Sequence, residues 1–362
     1  MSNKVEQGQD ARDIFETAYP ALYAAETPVN GGFVRMATVA ASLAHAYHGL
    51  FQKRVMDIGC GYGTTAMAMA NFSPREIVAV DRSKGMMELL QQVLFSDDNI
   101  GYWLGERQAD KILGKFFAPT LRHLKWMRQA FQTGTFRRQG GILRRLLRDG
   151  LYLEQGEAGE VDVILGNNYL HWPVQERRET IADEEAIEED EILRRACRDA
   201  LLPLRSVLAP TGLVIMVEPE DFVTFDDDPV RERDIEKNAF VAHPVFIKFH
   251  EAFNRILKEE CGIEREVPQR VHLFKTSQLP SLMKAGGFDL KRIDYVESVS
   301  PSNPVDECLV ALPMLLGEID LPFQVKLDMG KRVERALMET LTEEETQLPI
   351  REQISYLILK PI

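Results

Sequence analysis

Residues 55–63 of this 362-residue chain read Val55-Met56-Asp57-Ile58-Gly59-Cys60-Gly61-Tyr62-Gly63. An apolar run ends in an acid, three glycines follow at alternate positions, and a helix-like stretch, Thr64 to Ala70, comes next. The pattern predicts a strand, a tight loop and a helix start. Glycine lets the backbone bend sharply and lets a ligand sit close to it, and the first turn of the helix offers N–H groups to that ligand. Such a loop binds a nucleotide-like cofactor. A dinucleotide fingerprint needs Gly-x-Gly-x-x-Gly, and counted from Gly59 its third glycine position is Thr64. Asp57 would also repel a pyrophosphate. An acid there suits a cationic cofactor without phosphates, and S-adenosylmethionine (a sulfonium, an amino group and an adenosine) meets that description.

Glu76-Ile77-Val78-Ala79-Val80-Asp81 reads as a second short buried strand ending in an acid. In a doubly wound sheet the end of the second strand lies beside the first loop, where a carboxylate accepts hydrogen bonds from ribose hydroxyls. The competing reading of Asp81 is a helix N-cap, a task that Ser83 could perform instead.

With these residues in place, the chain resembles the class I S-adenosylmethionine-dependent methyltransferase family. Asp57 to Gly63 looks like its first motif, Val80-Asp81 its second, and Val161 to Trp172 its fourth-strand motif; Leu201 to Val217 resembles its helix, Pro-x-Gly turn and fifth strand. The resemblance covers roughly residues 35–300. It implies an α/β fold with a doubly wound seven-stranded sheet in the order 3-2-1-4-5-7-6, the last strand antiparallel. It implies S-adenosyl-L-methionine as cofactor, with Asp57, Gly59, Cys60, Gly61, Gly63, Asp81, Arg82 and Asn167 as its contacts. Glu157 is the candidate for the adenine amino group.

Methyl transfer is an in-line displacement at an activated sulfonium, so the protein mainly positions the partners and removes a proton where the acceptor needs it. The ends of the fourth and fifth strands face the methyl group. His171 is therefore the candidate general base, since imidazole titrates near neutral pH, and Glu218 the candidate partner that orients it. This looks like the His and Glu pairing of polyketide-synthase C-methyltransferase domains, whose Asn-x-x-His pattern recurs as Asn168-Tyr169-Leu170-His171. Methylation of an exocyclic base amine is disfavoured, because that chemistry carries a proline-rich motif here. Trp172 is expected to line the pocket. Tyr19 and Tyr23 are expected to reach the substrate from an N-terminal helical lid, and ordinary core packing is the bland alternative for them.

Composition sets the remaining bounds. The chain is 45% hydrophobic and 27% charged with a formal net charge of −13, which argues against non-specific nucleic-acid binding. No apolar run approaches the roughly 20 residues of a membrane helix, and the N-terminus lacks a signal-peptide core. Cys60, Cys197, Cys261 and Cys308 are scattered without a Cys-x-x-Cys pair, so a reducing, cytoplasmic setting is expected. The pairs His45/His48 and His243/His250 match no metal-binding pattern, and no metal is expected.

The charge is uneven. Gly101–Gly150 holds eleven Lys or Arg against three Asp or Glu, and Gln175–Ala200 ten acids against five bases. The arginines Arg137, Arg138, Arg144, Arg145 and Arg148 would dock an anionic partner by bidentate hydrogen bonds, with Arg144 the candidate substrate contact. The expected partner is a small molecule or a metabolite carried on an acyl carrier protein; a membrane surface and a merely solvated helix face are the alternatives for this basic segment.

Three segments are expected: a lid over 1–35, a core over 36–300 with helical insertions near 101–150, 175–200 and 219–275, and a helical tail over 301–362 that returns the last strand. Leu151-Tyr152-Leu153-Glu154 is expected to be the third strand. Two other readings stay open: a non-methylating, cyclase-like enzyme on this fold, and a cofactor-binding scaffold protein.

Overall fold

A computed structural model describes residues 32–95, 125–184, 187–299, 303–317, 319 and 321–362. Its centre is a seven-stranded sheet of β1 (Arg54–Ile58), β2 (Glu76–Asp81), β3 (Ile142–Leu147), β4 (Val161–Asn167), β5 (Leu208–Pro219), β8 (Phe288–Val299) and β9 (Arg351–Pro361). Two two-residue strands, β6 (Val223–Thr224) and β7 (Phe274–Lys275), pair apart from it. The order across the sheet is β3-β2-β1-β4-β5-β9-β8. Counting only the strands of this sheet, that is the expected 3-2-1-4-5-7-6. The first five strands run parallel and β9 is antiparallel to both neighbours.

The central strands are apolar on both faces because helices cover both. Along β1, Val55 joins the cluster beneath α1 (Gly32–His48), α2 (Thr64–Ala70) and α3 (Lys84–Phe95). Met56 and Ile58 join the opposite cluster. That second cluster is covered by α4 (His171–Glu184) and α5 (Glu189–Val207). The alternation of side chains along a strand therefore points Asp57 towards α2. Residues 175–200 belong to the β4–β5 crossover: α5 buries Ile192, Leu193, Ala196, Cys197, Ala200, Leu201, Leu204 and Val207. That is an apolar stripe at helical spacing, with the charges on the other side.

The third strand departs from expectation. It is Ile142–Leu147, paired with β2 from Glu76↔Ile142 to Asp81↔Leu147, while Gly150–Tyr152 forms a single 3-10 turn. As the sheet's edge strand, β3 has no residue fully buried. It therefore shows no period-2 apolar pattern, and Ile-Leu-Arg-Arg-Leu-Leu reads equally well as helix. Its arginines are long enough to lie along the edge. The 101–150 stretch is thus partly sheet, and of its remainder residues 125–133 are helical.

After β5 the chain adds α6 (Pro229–Asn238), α7 (Pro244–Cys261), α8 (Leu279–Ala285), α9 (Pro304–Gly317) and α10 (Phe323–Thr340), of which α8 packs with α5 on the sheet. Helices α7, α9 and α10 close their own core around Phe249, Phe253, Leu309 and Val333. The expected lid with Tyr19 and Tyr23 lies outside the described residues. Among the described residues, no helix is long and apolar enough to cross a membrane.

Phe253 is 1% exposed at the centre of this separate core. Phe253→Ala is expected to cost about 3–5 kcal/mol, the scale of an aromatic truncated in a close-packed interior, seen as a lowered urea midpoint. A loss below about 1 kcal/mol would mean that this core does not unfold cooperatively with the sheet.

Candidate active site

The glycine loop turns β1 into α2. Gly59 sits at φ 66° and Gly61 at φ 52°, the left-handed region that glycine enters without penalty. A Cβ on Gly59 would also stand 2.6 Å from the Tyr169 ring, so this position is closed twice over to any other residue. Asp57 is wholly buried under the loop. Its Oδ2 accepts the Ala66 N–H at 2.8 Å, satisfying one of the orphan donors at the start of α2. Its Oδ1 is buried without a partner. Burial pushes this carboxyl well above the usual aspartate range, against the Ala66 hydrogen bond.

Asp81 ends β2 and braces the loop. Its Oδ2 accepts the Gly61 N–H and its Oδ1 the Ser83 N–H, both at 2.8 Å. The cap of α3 is Ser83, whose Oγ accepts the Met86 N–H at 3.1 Å. The alternative role for Asp81 thus belongs to its neighbour. Cys60 is buried with Sγ 3.7 Å from the Met87 sulfur, and burial raises its thiol far above the ordinary range.

Across the cleft, Arg82 lies 2.6 Å from Glu176 and 3.7 Å from Asp149. Asp149, missed in the sequence, stands just beyond β3 and accepts the Leu151 N–H at 2.9 Å. Glu157 is a half-buried residue of the strand-edge network, held by the Arg148 guanidinium at 2.7 Å. Once the third strand moves to Ile142–Leu147, the acid that follows it is Asp149. An apolar run followed by Asp-Gly was the available signal.

Tyr169 was also missed. Asn168 takes φ 56°, which throws the Tyr169 ring across the strand ends from Gly59 to Gly150; a Cβ at Gly150 would collide with the phenol oxygen. That oxygen is buried without a hydrogen-bond partner. Burial, then the nearby Asp149 and Asp81, hold the phenol far above its ordinary range.

Beside Tyr169 lies a buried hydrogen-bonded pair. His171 Nδ1 is 2.7 Å from Glu218 Oε2, with the two side chains 2% and 0% exposed. Glu218 Oε1 accepts the Leu170 N–H at 2.8 Å. Both carboxylate oxygens thus accept, the Nδ1 proton points at Glu218, and Nε2 is left with the free lone pair. The imidazole stacks on Phe222, centroids 3.8 Å apart and planes 13° off parallel, and Trp172 packs at 5.2 Å. The 47 residues between His171 and Glu218 are the α4–α5 crossover. The β4–β5 register pairs Asn167 with Val217, which sets Glu218 at the level of the turn leading into α4.

Arg144, the expected substrate contact, is engaged along the sheet edge. Its guanidinium meets Glu76 at 3.1 Å, donates to the Glu157 carbonyl at 2.8 Å and reaches the Ala158 carbonyl. Arg137 donates to the Gly141 carbonyl and Arg145 lies over the Phe95 ring. The basic run ties the edge strand to the groups around it, and its charges blunt an exposed edge. His243 caps α7 through Val245 N, and His250 lies between Phe246 and Phe249.

No protein-family model matches the chain, and no curated protein sequence matches it. Among solved structures, the chain is similar to an S-adenosylmethionine-dependent methyltransferase from Thiobacillus denitrificans in complex with S-adenosyl-L-homocysteine. That match has 11% identity and a TM-score of 0.39, over 92% of this chain and 93% of that one. It is similar also to the mycolic acid cyclopropane synthase CmaA1 in its apo form, at 15% identity and a TM-score of 0.40 over 89% and 88%. Likeness at this level transfers no residue role; the fold rests on the sheet order itself.

Two outcomes follow from the buried groups. Tyr169→Phe removes a buried, unpartnered hydroxyl and is expected to stabilise the ligand-free chain by about 1 kcal/mol; destabilisation in a thermal melt would mean that the hydroxyl is satisfied. Glu220, in the turn that carries Phe222, is pushed by burial from about 4.5 up to about 8. The folded chain thus keeps a proton that the unfolded chain releases, and stability falls as pH rises from about 5 to 8. One proton gives a slope of up to about 1.4 kcal/mol per pH unit. Glu220→Gln is expected to flatten that slope; an unchanged pH profile would place the proton elsewhere.

Proposed function

We propose that the chain is an S-adenosylmethionine-dependent methyltransferase that methylates carbon or oxygen of a small metabolite, free or carried on an acyl carrier protein, with His171 as general base. The observation that carries this reading is the buried 2.7 Å pair of His171 and Glu218 at the C-terminal ends of β4 and β5, next to a glycine loop backed by two carboxylates. In an open α/β sheet, ligands sit outside those strand ends.

The residues of the loop fit the cofactor. Asp57 Oδ1 is a buried acceptor without a donor, of the sign that an ammonium or sulfonium requires. Gly59 leaves the backbone bare on the cleft side. Asp81, already oriented by two backbone N–H groups, retains lone pairs suited to ribose hydroxyls. Asp149 and Arg82 stand where the adenine end would lie, and Cys60, Gly61, Gly63 and Asn167 complete the cradle. When bound, S-adenosylmethionine supplies an already activated methyl group.

The chain's own task is then orientation and proton removal. Nε2 of His171 accepts the acceptor's proton. Glu218 holds the ring through Nδ1 and offsets the positive charge that develops on it. Phe222 fixes the ring plane, so little reorganisation is needed at the moment of reaction. Burial of the pair keeps water from competing for the same lone pair. Trp172, 45% exposed, forms a wall on the solvent side.

His171→Ala is expected to bind S-adenosylhomocysteine as the unaltered chain does while losing about a hundredfold or more in turnover, the usual scale of a missing general base. Calorimetry reads the first quantity, and transfer of a labelled methyl group the second. Near-normal turnover would remove His171 from the chemistry. Substrate consumed without label transfer would replace methylation by a non-methylating reaction at the same site.

A further inference from the structure

We propose that the cavity between α6 and the ends of β8 and β9 is an oxyanion subsite in which Arg231 holds a carboxylate or phosphate group of the small-molecule acceptor. That the bound group belongs to the acceptor rests on the methyl-transfer reading; that Arg231 is built to receive an oxyanion does not.

The cavity has a volume of about 540 Å³ and is lined by Glu220, Arg231, Lys237, Arg351 and Glu352, among others. That volume suits a small-molecule ligand. One turn of 3-10 helix, Glu220–Phe222, joins it to the catalytic pair: Phe222 stacks on His171 and Glu220 lines the cavity.

Arg231 is held as a binding group would be. Its guanidinium lies 4.1 Å from the Tyr295 ring centroid and 5.4 Å from that of Phe225, and these two rings pack edge to face at 4.9 Å. Stacking fixes the plane of the fork and leaves its N–H edge to be satisfied by an acceptor. Asp228 approaches Nε at 3.6 Å. Nη1 is buried and has no hydrogen-bond partner, a state that native proteins rarely tolerate unless a ligand or water completes it.

Each acid around the cavity already has a partner, Asp228 and Glu297 within the cavity lining itself. Glu352 pairs with Arg35 at 2.6 Å, Glu297 with Arg351 at 3.2 Å, Asp228 caps α6 through Arg231 N at 3.1 Å, and Asp234 accepts from Asn238 at 3.0 Å. Glu220 takes the Gln353 N–H and keeps its proton to about pH 8, so it brings a neutral carboxyl at pH 7. What remains unfilled is a donor on a planar cation, with Arg233 and Lys237 of α6 adding positive charge at the rim. A carboxylate or phosphate oxygen matches that donor in charge and shape.

Calorimetry on the full chain tests this with malonate and inorganic phosphate as probes and malonamide as the neutral isostere of malonate. Malonate or phosphate is expected to bind in the millimolar range or tighter and malonamide to give no heat. Arg231→Gln should weaken the anion at least tenfold, and Arg231→Lys less, while S-adenosylhomocysteine affinity stays within twofold. The proposal fails if neither anion binds, if malonamide binds as well as malonate, or if Arg231→Gln binds the anion unchanged. Failure of S-adenosylhomocysteine to bind would instead sink the methyl-transfer reading, and an Arg231-dependent response to malonate would then still establish the oxyanion site.

Discussion

The parallel pairing of β4 with β5 decides where chemistry is possible in this molecule. It aligns Asn167 with Val217, so the residue after each strand end emerges at the same level. Alternation along β5 places Met216 against the α4–α5 face and Val217 against the other. Glu218 therefore emerges on the side where α4 begins with His171. A slip of one residue would turn Glu218 to the opposite face and leave a buried imidazole without its carboxylate. The α4–α5 crossover can be long and heavily charged because it only has to return the chain to the right register.

The same economy governs the charges. Buried and half-buried acids at the strand ends each take backbone N–H groups: Asp57 from α2, Asp81 from the glycine loop, Asp149 from the turn after β3, Glu218 from Leu170. Burying a carboxylate is tolerable only with such partners. The arginines of residues 137–148 do the converse work, tying down an exposed edge strand. Among the buried polar atoms left without a hydrogen-bond partner are one oxygen of Asp57, the phenol of Tyr169 and one nitrogen of Arg231. They fall at the loop, across the strand ends and in the cavity past β5.

The helical layer after β5 gives that cavity its wall. Its core of α7, α9 and α10 is closed separately from the two clusters that sandwich the sheet, and α6 bridges from it towards the ends of β8 and β9. The turn Glu220–Phe222 then serves two neighbours, presenting an aromatic face to His171 and a carboxyl to the cavity. Two of its three residues thus act in the site because the chain reverses there.

Much was legible from local pattern. The glycine loop and the buried strands β1, β2 and β4 are written in contiguous residues, since apolar runs and glycines reflect local backbone demands, while the sheet order and the pairing of His171 with Glu218 came from the family resemblance of those motifs. The edge strand β3 was not, because an edge has no fixed burial pattern to leave in the sequence, and Asp149 was missed along with it. Nor could spacing reveal that Arg144 is spent on Glu76, or that Tyr169 crosses from Gly59 to Gly150. The linear chain thus determined the fold, the cofactor-type loop and the likeness of its strand-end motifs. Only the tertiary structure decided which charges are consumed and which remain, because that depends on groups brought together from distant parts of the chain.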